Sequence, residues 1–196
     1  MVNNPFHKYQ NLLKEYIRPN SIPLLWRNWT DIRRSYHNLD HLSRVIKGIE
    51  NWRYRFSREE FEQLILAAFF HDVIYDPRDT RGNEDKSKKF FRESYIGKNQ
   101  RFDLVDQAIE CTKYRKRPTN FPLRVFWDAD NDGFKDSWFD FLKYENGIRS
   151  EFSFASDDKY KEGRIKFLES NLGLFGPTGD MNIRKLIKYL EDKYDI

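Results

Sequence analysis

The chain has one cysteine, Cys111, among 196 residues, so no intrachain disulfide can form. In its apolar helical context that thiol reads as a small buried hydrophobe rather than a nucleophile, which suits a reducing compartment. Long apolar runs are missing as well. The N-terminal MVNNPFHKYQ carries no hydrophobic leader core, and no window reaches the roughly 20 apolar residues of a membrane span. A soluble, cytoplasmic protein is therefore expected, with no membrane partner. Nine glycines and seven prolines are too dispersed to mark a linker, and the length suits one domain with a sizeable core. Alternating strand pattern, internal repeats and low-complexity tracts are absent too.

What is present is helical period. Phe6, Tyr9, Leu13 and Ile17 recur at three- and four-residue steps, as do Leu42, Val45, Ile46, Ile49 and Trp52. Ser57 and Glu60 form a capping box ahead of Phe61, Leu64, Ile65 and Ala68, so a helix should start near Arg58. Further amphipathic stretches cover Asp103 to Thr112, Ser137 to Tyr144, Lys159 to Leu168 and Ile183 to Tyr194. Loops are expected at Asp76 to Gly82, Arg117 to Phe121 and Gly173 to Gly179. The fold class is all-α. A net charge of +4 and a pI near 9.0 suit phosphate-bearing or acidic partners, but 34% charged residues of both signs also describe an ordinary solvated surface.

Histidine is scarce, and its placement is informative. Three of the four histidines fall in two short motifs, YHNLDH (Tyr36 to His41) and FFHD (Phe69 to Asp72), with WDAD (Trp127 to Asp130) following later. At helical spacing His37 and His41 would share a face and could present two imidazoles to one site. A zinc protease needs Glu directly after the first histidine, and Asn38 stands there, which disfavours that chemistry. His71 and Asp72 end the apolar run LILAAFF, where burial without partners costs several kcal/mol by typical estimates. One divalent cation would satisfy both, and nitrogen plus carboxylate donors suit Zn, Mn, Fe, Ni or, less tightly, Mg. DADNDG opens like an EF-hand loop, but its twelfth position is Phe139 instead of a bidentate Glu. Asp128 and Asp130 thus remain as acids available to complete a site begun by the histidines.

Taken in order, YHNLDH, FFHD and WDAD resemble the HD superfamily of metal-dependent phosphohydrolases. Within it they are most similar to a group of small bacterial and phage-type HD proteins of unassigned substrate. VIYDP (Val73 to Pro77) and NEDKS (Asn83 to Ser87) match two further elements of that pattern, and the YHNxxH element is shared with the distantly related cyclic nucleotide phosphodiesterases. The resemblance covers about Tyr36 to Glu151. It implies one HD-type helical domain over 1–196, with a motif core at about 30–151 and C-terminal helices over 152–196.

Carried over residue by residue, the resemblance makes His41, His71, Asp72 and Asp130 the metal ligands. His37 becomes a general acid for the leaving oxygen, with Asn38 or Asp40 orienting neighbours, and Glu84 an acid near the water; His37, Asp72 and Glu84 form the catalytic set. Arg33, Lys113 and Arg149 are the expected substrate-binding cations, drawn from Arg33 and Arg34, from Lys113, Arg115, Lys116 and Arg117, and from the matching segment Ile148, Arg149, Glu151. Family members carry a further histidine shortly after the position of Thr112. Its absence here implies one divalent metal ion, and DADND in place of DADL admits weakened activity. The expected function is hydrolysis of a phosphate ester of a small substrate, a nucleotide in the leading version. A cyclic nucleotide phosphodiesterase and a binding protein without turnover are the alternatives. Nucleic acid is not an expected partner, since only the short basic run KYRKRP with Tyr114 speaks for it.

Overall fold

Ser57 and Glu60 close the expected capping box: Glu60 N–H donates to Ser57 Oγ at 3.1 Å and Ser57 N–H to Glu60 Oε2 at 2.9 Å, starting a helix at Arg58. The computed structural model describes residues 4–79, 82–97, 102–114 and 116–194. Among them lie eleven α-helices: α1 (Pro5–Lys8), α2 (Gln10–Tyr16), α3 (Ile22–Trp29), α4 (Leu39–Glu50), α5 (Arg58–Phe70), α6 (Asn83–Ser94), α7 (Asp103–Thr112), α8 (Phe121–Asp130), α9 (Trp138–Glu151), α10 (Asp157–Glu169) and α11 (Gly176–Tyr194). Two 3-10 turns, Arg53–Arg55 and Asp132–Lys135, join them. The described residues hold no strand, only an isolated antiparallel bridge between Ile17 and Tyr95. The fold is all-α, and none of the described helices is long and apolar enough to cross a membrane.

The chain divides into two compact units, Met1–Asp130 and Asn131–Ile196. In the first, α5 is the central helix. Every residue from Leu64 to Phe70 is buried, because α4, α6, α7 and α8 all pack around it. Fully burying a Leu, Ile or Phe contributes about 1.5–3 kcal/mol, so this all-round burial anchors the C-terminal end of α5, where His71 follows. The helices α4 and α8 pack closest together. A Cβ on Gly48 would stand 2.6 Å from the Ala129 Cβ, so glycine is what allows this approach. Trp29 of α3 donates its indole N–H to the Phe69 carbonyl at 2.8 Å and is itself fully buried, fixing α3 to the same end of α5.

In the second unit, α9, α10 and α11 surround a polar centre. Glu145, only 3% exposed, accepts from Tyr160 Oη at 2.6 Å and from Arg164 Nε at 2.8 Å. Phe134 stacks on Phe175 at 4.2 Å, and Asn182 donates to the carbonyls of Phe134 and Asp136 at 2.9 Å each.

Two local expectations fail. The segment Gly173 to Gly179 is not all loop: α11 begins at Gly176, with Pro177 in its first turn, where its fixed φ fits and its missing N–H costs nothing. The left-handed backbone at Gly173 and Gly176 (φ 85° and 73°) makes the turn before it. His37 is not on a helix with His41. Asn38 is the N-cap of α4, accepting from Asp40 N–H at 2.9 Å and His41 N–H at 3.4 Å, so His37 lies just outside the helix.

Candidate metal centre

Three helix ends deliver the cluster. His41 sits in the first turn of α4, His71 caps the C-terminus of α5 with Asp72 next in the chain, and Asp130 is the last residue of α8. The negative macrodipole ends of α5 and α8 and the positive end of α4 meet at this cluster. One ligand atom from each of His41, His71, Asp72 and Asp130 lies within 4.8 Å of all the others. His41 Nε2 is 3.2 Å from His71 Nε2, 3.1 Å from Asp130 Oδ1 and 3.7 Å from Asp72 Oδ2. His71 Nε2 is 3.3 Å from Asp130 Oδ1 and 3.3 Å from Asp72 Oδ2.

These separations and donors fit a divalent cation. Ligands bound at about 2.1 Å to one ion stand roughly 3.0–4.2 Å apart, the range of those five distances. The His71 tautomer is set from outside the cluster: its Nδ1 lies 2.9 Å from the Ala68 carbonyl, which only accepts, so Nδ1 carries the proton and Nε2 faces inward. His41 and His71 are 2% and 0% exposed, and the Trp29 and Phe126 rings flank His71. The two imidazoles are thus buried, while the Asp72 and Asp130 carboxylates keep 18% and 17% exposure.

Electrostatics record the same demand for positive charge. Burial pushes His41 below the ordinary histidine value, only partly offset by Asp130. For His71 burial again opposes protonation, but Asp72 and Asp130 outweigh it and hold its pKa well above 6.5. Burial would raise Asp72 and Asp130, yet the facing histidines keep both carboxyls far below the usual carboxylate range. A proton on His71 does in part what a divalent ion would do fully.

Around this core the structure arranges several further side chains. His37 Nε2 is 3.9 Å from Asp72 Oδ2, and its ring stacks on Tyr75 at 4.0 Å. Arg34, the neighbour of the expected Arg33, donates to the carbonyls of Asp72 at 2.8 Å and Val73 at 2.9 Å and so fixes the turn that carries Asp72. The NEDKS segment explains itself as a latch. Asn83 exchanges hydrogen bonds with Asp76, accepting at 3.0 Å and donating at 2.9 Å, while Ser87 Oγ accepts from Ile74 N–H at 3.1 Å. Both therefore grip the VIYDP loop. Glu84 lies between them in the first turn of α6, half-buried; burial raises its pKa, and the charge of Asp72 adds to the rise.

Other expected residues stand elsewhere. The Arg33 side chain is 86% exposed and engaged with Asp31, whereas its neighbour Arg34 bonds the Asp72 carbonyl. Lys113 pairs with Asp85 at 3.0 Å and acts on Glu84 only through its charge. Asp128, the alternative to Asp130, is turned to Arg117, whose Nε donates to it at 2.7 Å. Arg149 belongs to the second unit, where it bonds the Phe152 and Ala155 carbonyls and Asp157. Arg115 lies outside the described residues. Cys111 is mostly buried and its thiol is pushed up to about 12 by that burial, which removes it as a nucleophile.

Arg34, Tyr75, Asn83 and Ser87 were the residues whose roles the motifs did not convey. The i, i+4 spacing of Asn83 and Ser87 was the available signal, since it puts both on one face of a helix.

The fold and the cluster together define an all-α protein with a candidate divalent-metal centre of two histidines and two aspartates. The chain matches no family model, and no curated protein or solved structure shows significant similarity to it.

Proposed function

We propose that this chain is a metal-dependent phosphohydrolase of the HD type that cleaves a phosphate ester of a small substrate, with nucleotides the leading substrate class. The observation that carries the reading is the convergence of His41, His71, Asp72 and Asp130 within 4.8 Å. These four would hold one divalent ion, and when bound such an ion supplies Lewis acidity toward phosphoryl oxygen and acidifies water.

The remaining chemistry belongs to the chain's own groups. His37 is less buried than His41 or His71 and lies beside Asp72 without completing the cluster, so it is placed to give a proton to a departing alkoxide. Tyr75 fixes its ring plane by stacking, and Arg34 holds the turn that sets the Asp72 position. The half-buried Glu84, its carboxyl raised by burial with the charge of Asp72 adding to the rise, is a further acid on offer near Asp72. The whole set, close to the ends of rigid helices, needs little rearrangement before reaction.

The test is phosphate release from a panel of nucleoside mono-, di- and triphosphates and cyclic nucleotides, using protein supplied with Mn, Zn, Ni, Fe or Mg in turn. Asp72→Ala serves as the control. Release above that control supports the reading, and loss of about 100-fold or more in His37→Ala at unchanged metal content assigns the proton donor. Metal uptake with release no higher than Asp72→Ala on every substrate would leave a binding protein and end the enzymatic proposal.

A further inference from the structure

Away from the cluster, the other end of the α4 and α8 pair carries an exposed aromatic and cationic surface. Trp52 and Tyr54, just past the end of α4, are 40% and 77% exposed, with ring planes within 22° of each other. Phe121, the first residue of α8, meets Trp52 edge-on at 5.7 Å. The Arg55 and Arg124 guanidinium groups lie 5.2 Å and 5.6 Å from the Phe121 ring centroid. Among the described residues neither arginine has a carboxylate within ion-pair distance, whereas Arg58, Arg92 and Arg117 each do.

We propose that this aromatic and arginine surface binds single-stranded nucleic acid. The two kinds of group answer the two parts of such a strand. Exposed rings offer π-faces to unpaired bases, and arginines left without acidic partners offer charge to the phosphates. The segment from Lys113 to Arg124 has no Asp or Glu, and although Lys113 and Arg117 are paired with Asp85 and Asp128, Lys116 and Arg124 have no carboxylate partner among the described residues. A second copy of the chain would bring like charge against like charge, and an acidic peptide would leave the ring faces without stacking partners. Folding brings WRYR (Trp52 to Arg55) against Phe121, which follows the basic run KYRKRP by three residues in the chain.

The location makes this a separate site. Phe121 and Asp130 are opposite ends of α8, and nine residues of helix span about 14 Å. Nothing in the surface requires a metal, so the inference stands independently of the phosphohydrolase reading.

Fluorescence anisotropy of labelled 12-nucleotide oligo(dT) and oligo(U), with protein kept in EDTA, tests it. Binding is expected at low salt and should weaken steeply between about 50 and 200 mM salt. Tyr54→Ala should weaken it about 5- to 100-fold, the loss of one stacked base, and Arg55→Ala and Arg124→Ala should each lower the salt slope by about one. Asp72→Ala should bind like the unsubstituted chain. Melting curves check that each variant is folded; Tyr54 and Arg55 are exposed, so their replacement removes little packing. No binding at low salt overturns the proposal. So does duplex binding as tight as single-strand binding and indifferent to Tyr54→Ala, which would reveal a generic polyanion surface. Equal displacement by polyglutamate, or self-association that Tyr54→Ala abolishes with no effect on oligonucleotide, points to a protein partner and overturns it too.

Discussion

Each unit buries a polar cluster, and the two clusters solve the problem of buried charge in opposite ways. In the second unit Glu145 is met by its own counter-groups, Arg164 Nε at 2.8 Å and Tyr160 Oη at 2.6 Å, both supplied by α10. Charge and lone pairs are satisfied from within the chain. In the first unit Asp72 and Asp130 face His41 and His71, whose inward nitrogens are acceptors when neutral. The proton that His71 holds offsets one of the two carboxylate charges, and among the described residues no Lys or Arg is paired with either carboxylate. A buried cluster that balances itself is a structural element. A cluster that keeps a net negative charge, in a geometry that fits a cation, could hold one.

The comparison can be broken first at Glu145. Glu145→Ala takes from the buried Arg164 its carboxylate and from Tyr160 its acceptor, and a loss of about 3–5 kcal/mol in urea unfolding is expected, independent of added metal. A loss under 1 kcal/mol would show that this cluster is not the closed structural device described here.

Next in size is the helix contact that aligns the metal ligands. Gly48→Ala forces α4 from α8 through the 2.6 Å clash with Ala129, at an expected cost of about 1–3 kcal/mol. Because Ala129 adjoins Asp130, metal affinity should fall as well. The double variant Gly48→Ala with Ala129→Gly should recover much of both, and a failure to recover either would deny that this contact sets the site.

The two clusters should also part in their response to pH. Burial, with Glu145 adding to it, raises the Tyr160 pKa above its ordinary 10.0. A group whose folded pKa is raised holds its contribution below the unfolded pKa and loses it as pH climbs above, so the second unit should weaken only above pH 10, by at most about 1.4 kcal/mol per pH unit from this group. Tyr160→Phe should flatten that decline; an unchanged slope would exclude Tyr160 as its source. In the first unit the effect of the raised His71 pKa sets in above the ordinary 6.5. Metal-free stability from that proton is complete below 6.5 and declines as pH rises through the raised value, while metal affinity rises over the same range because the competing proton leaves.

Much of this was readable beforehand, and for physical reasons. Long amphipathic patterns gave α5, α7 and α10 close to their ends, since periodicity and a capping box are local properties. The motifs brought together the four residues that cluster. What escaped depends in one place on a local cap and otherwise on tertiary contact. His37 falls outside α4 because Asn38 turns its side chain onto the helix N-terminus, and four-residue spacing alone does not reveal a cap. Arg33 and Arg34 are indistinguishable as adjacent cations; only the turn after α5 selects Arg34. Asn83 and Ser87 bond a loop seven to thirteen residues earlier, a relation that appears once α6 packs against α5.

The most direct measurement is a metal titration of chelator-treated protein, following thermal melting and isothermal heat together, with Asp130→Asn and Asp128→Asn in parallel. One equivalent of divalent ion should bind the unsubstituted chain and raise its melting temperature. Asp130→Asn should weaken that binding by about 100-fold or more, and Asp128→Asn, whose partner is Arg117, should leave it nearly unchanged. An unsubstituted chain that takes up no ion and melts at the same temperature with every metal would contradict the central claim that this cluster is a metal centre.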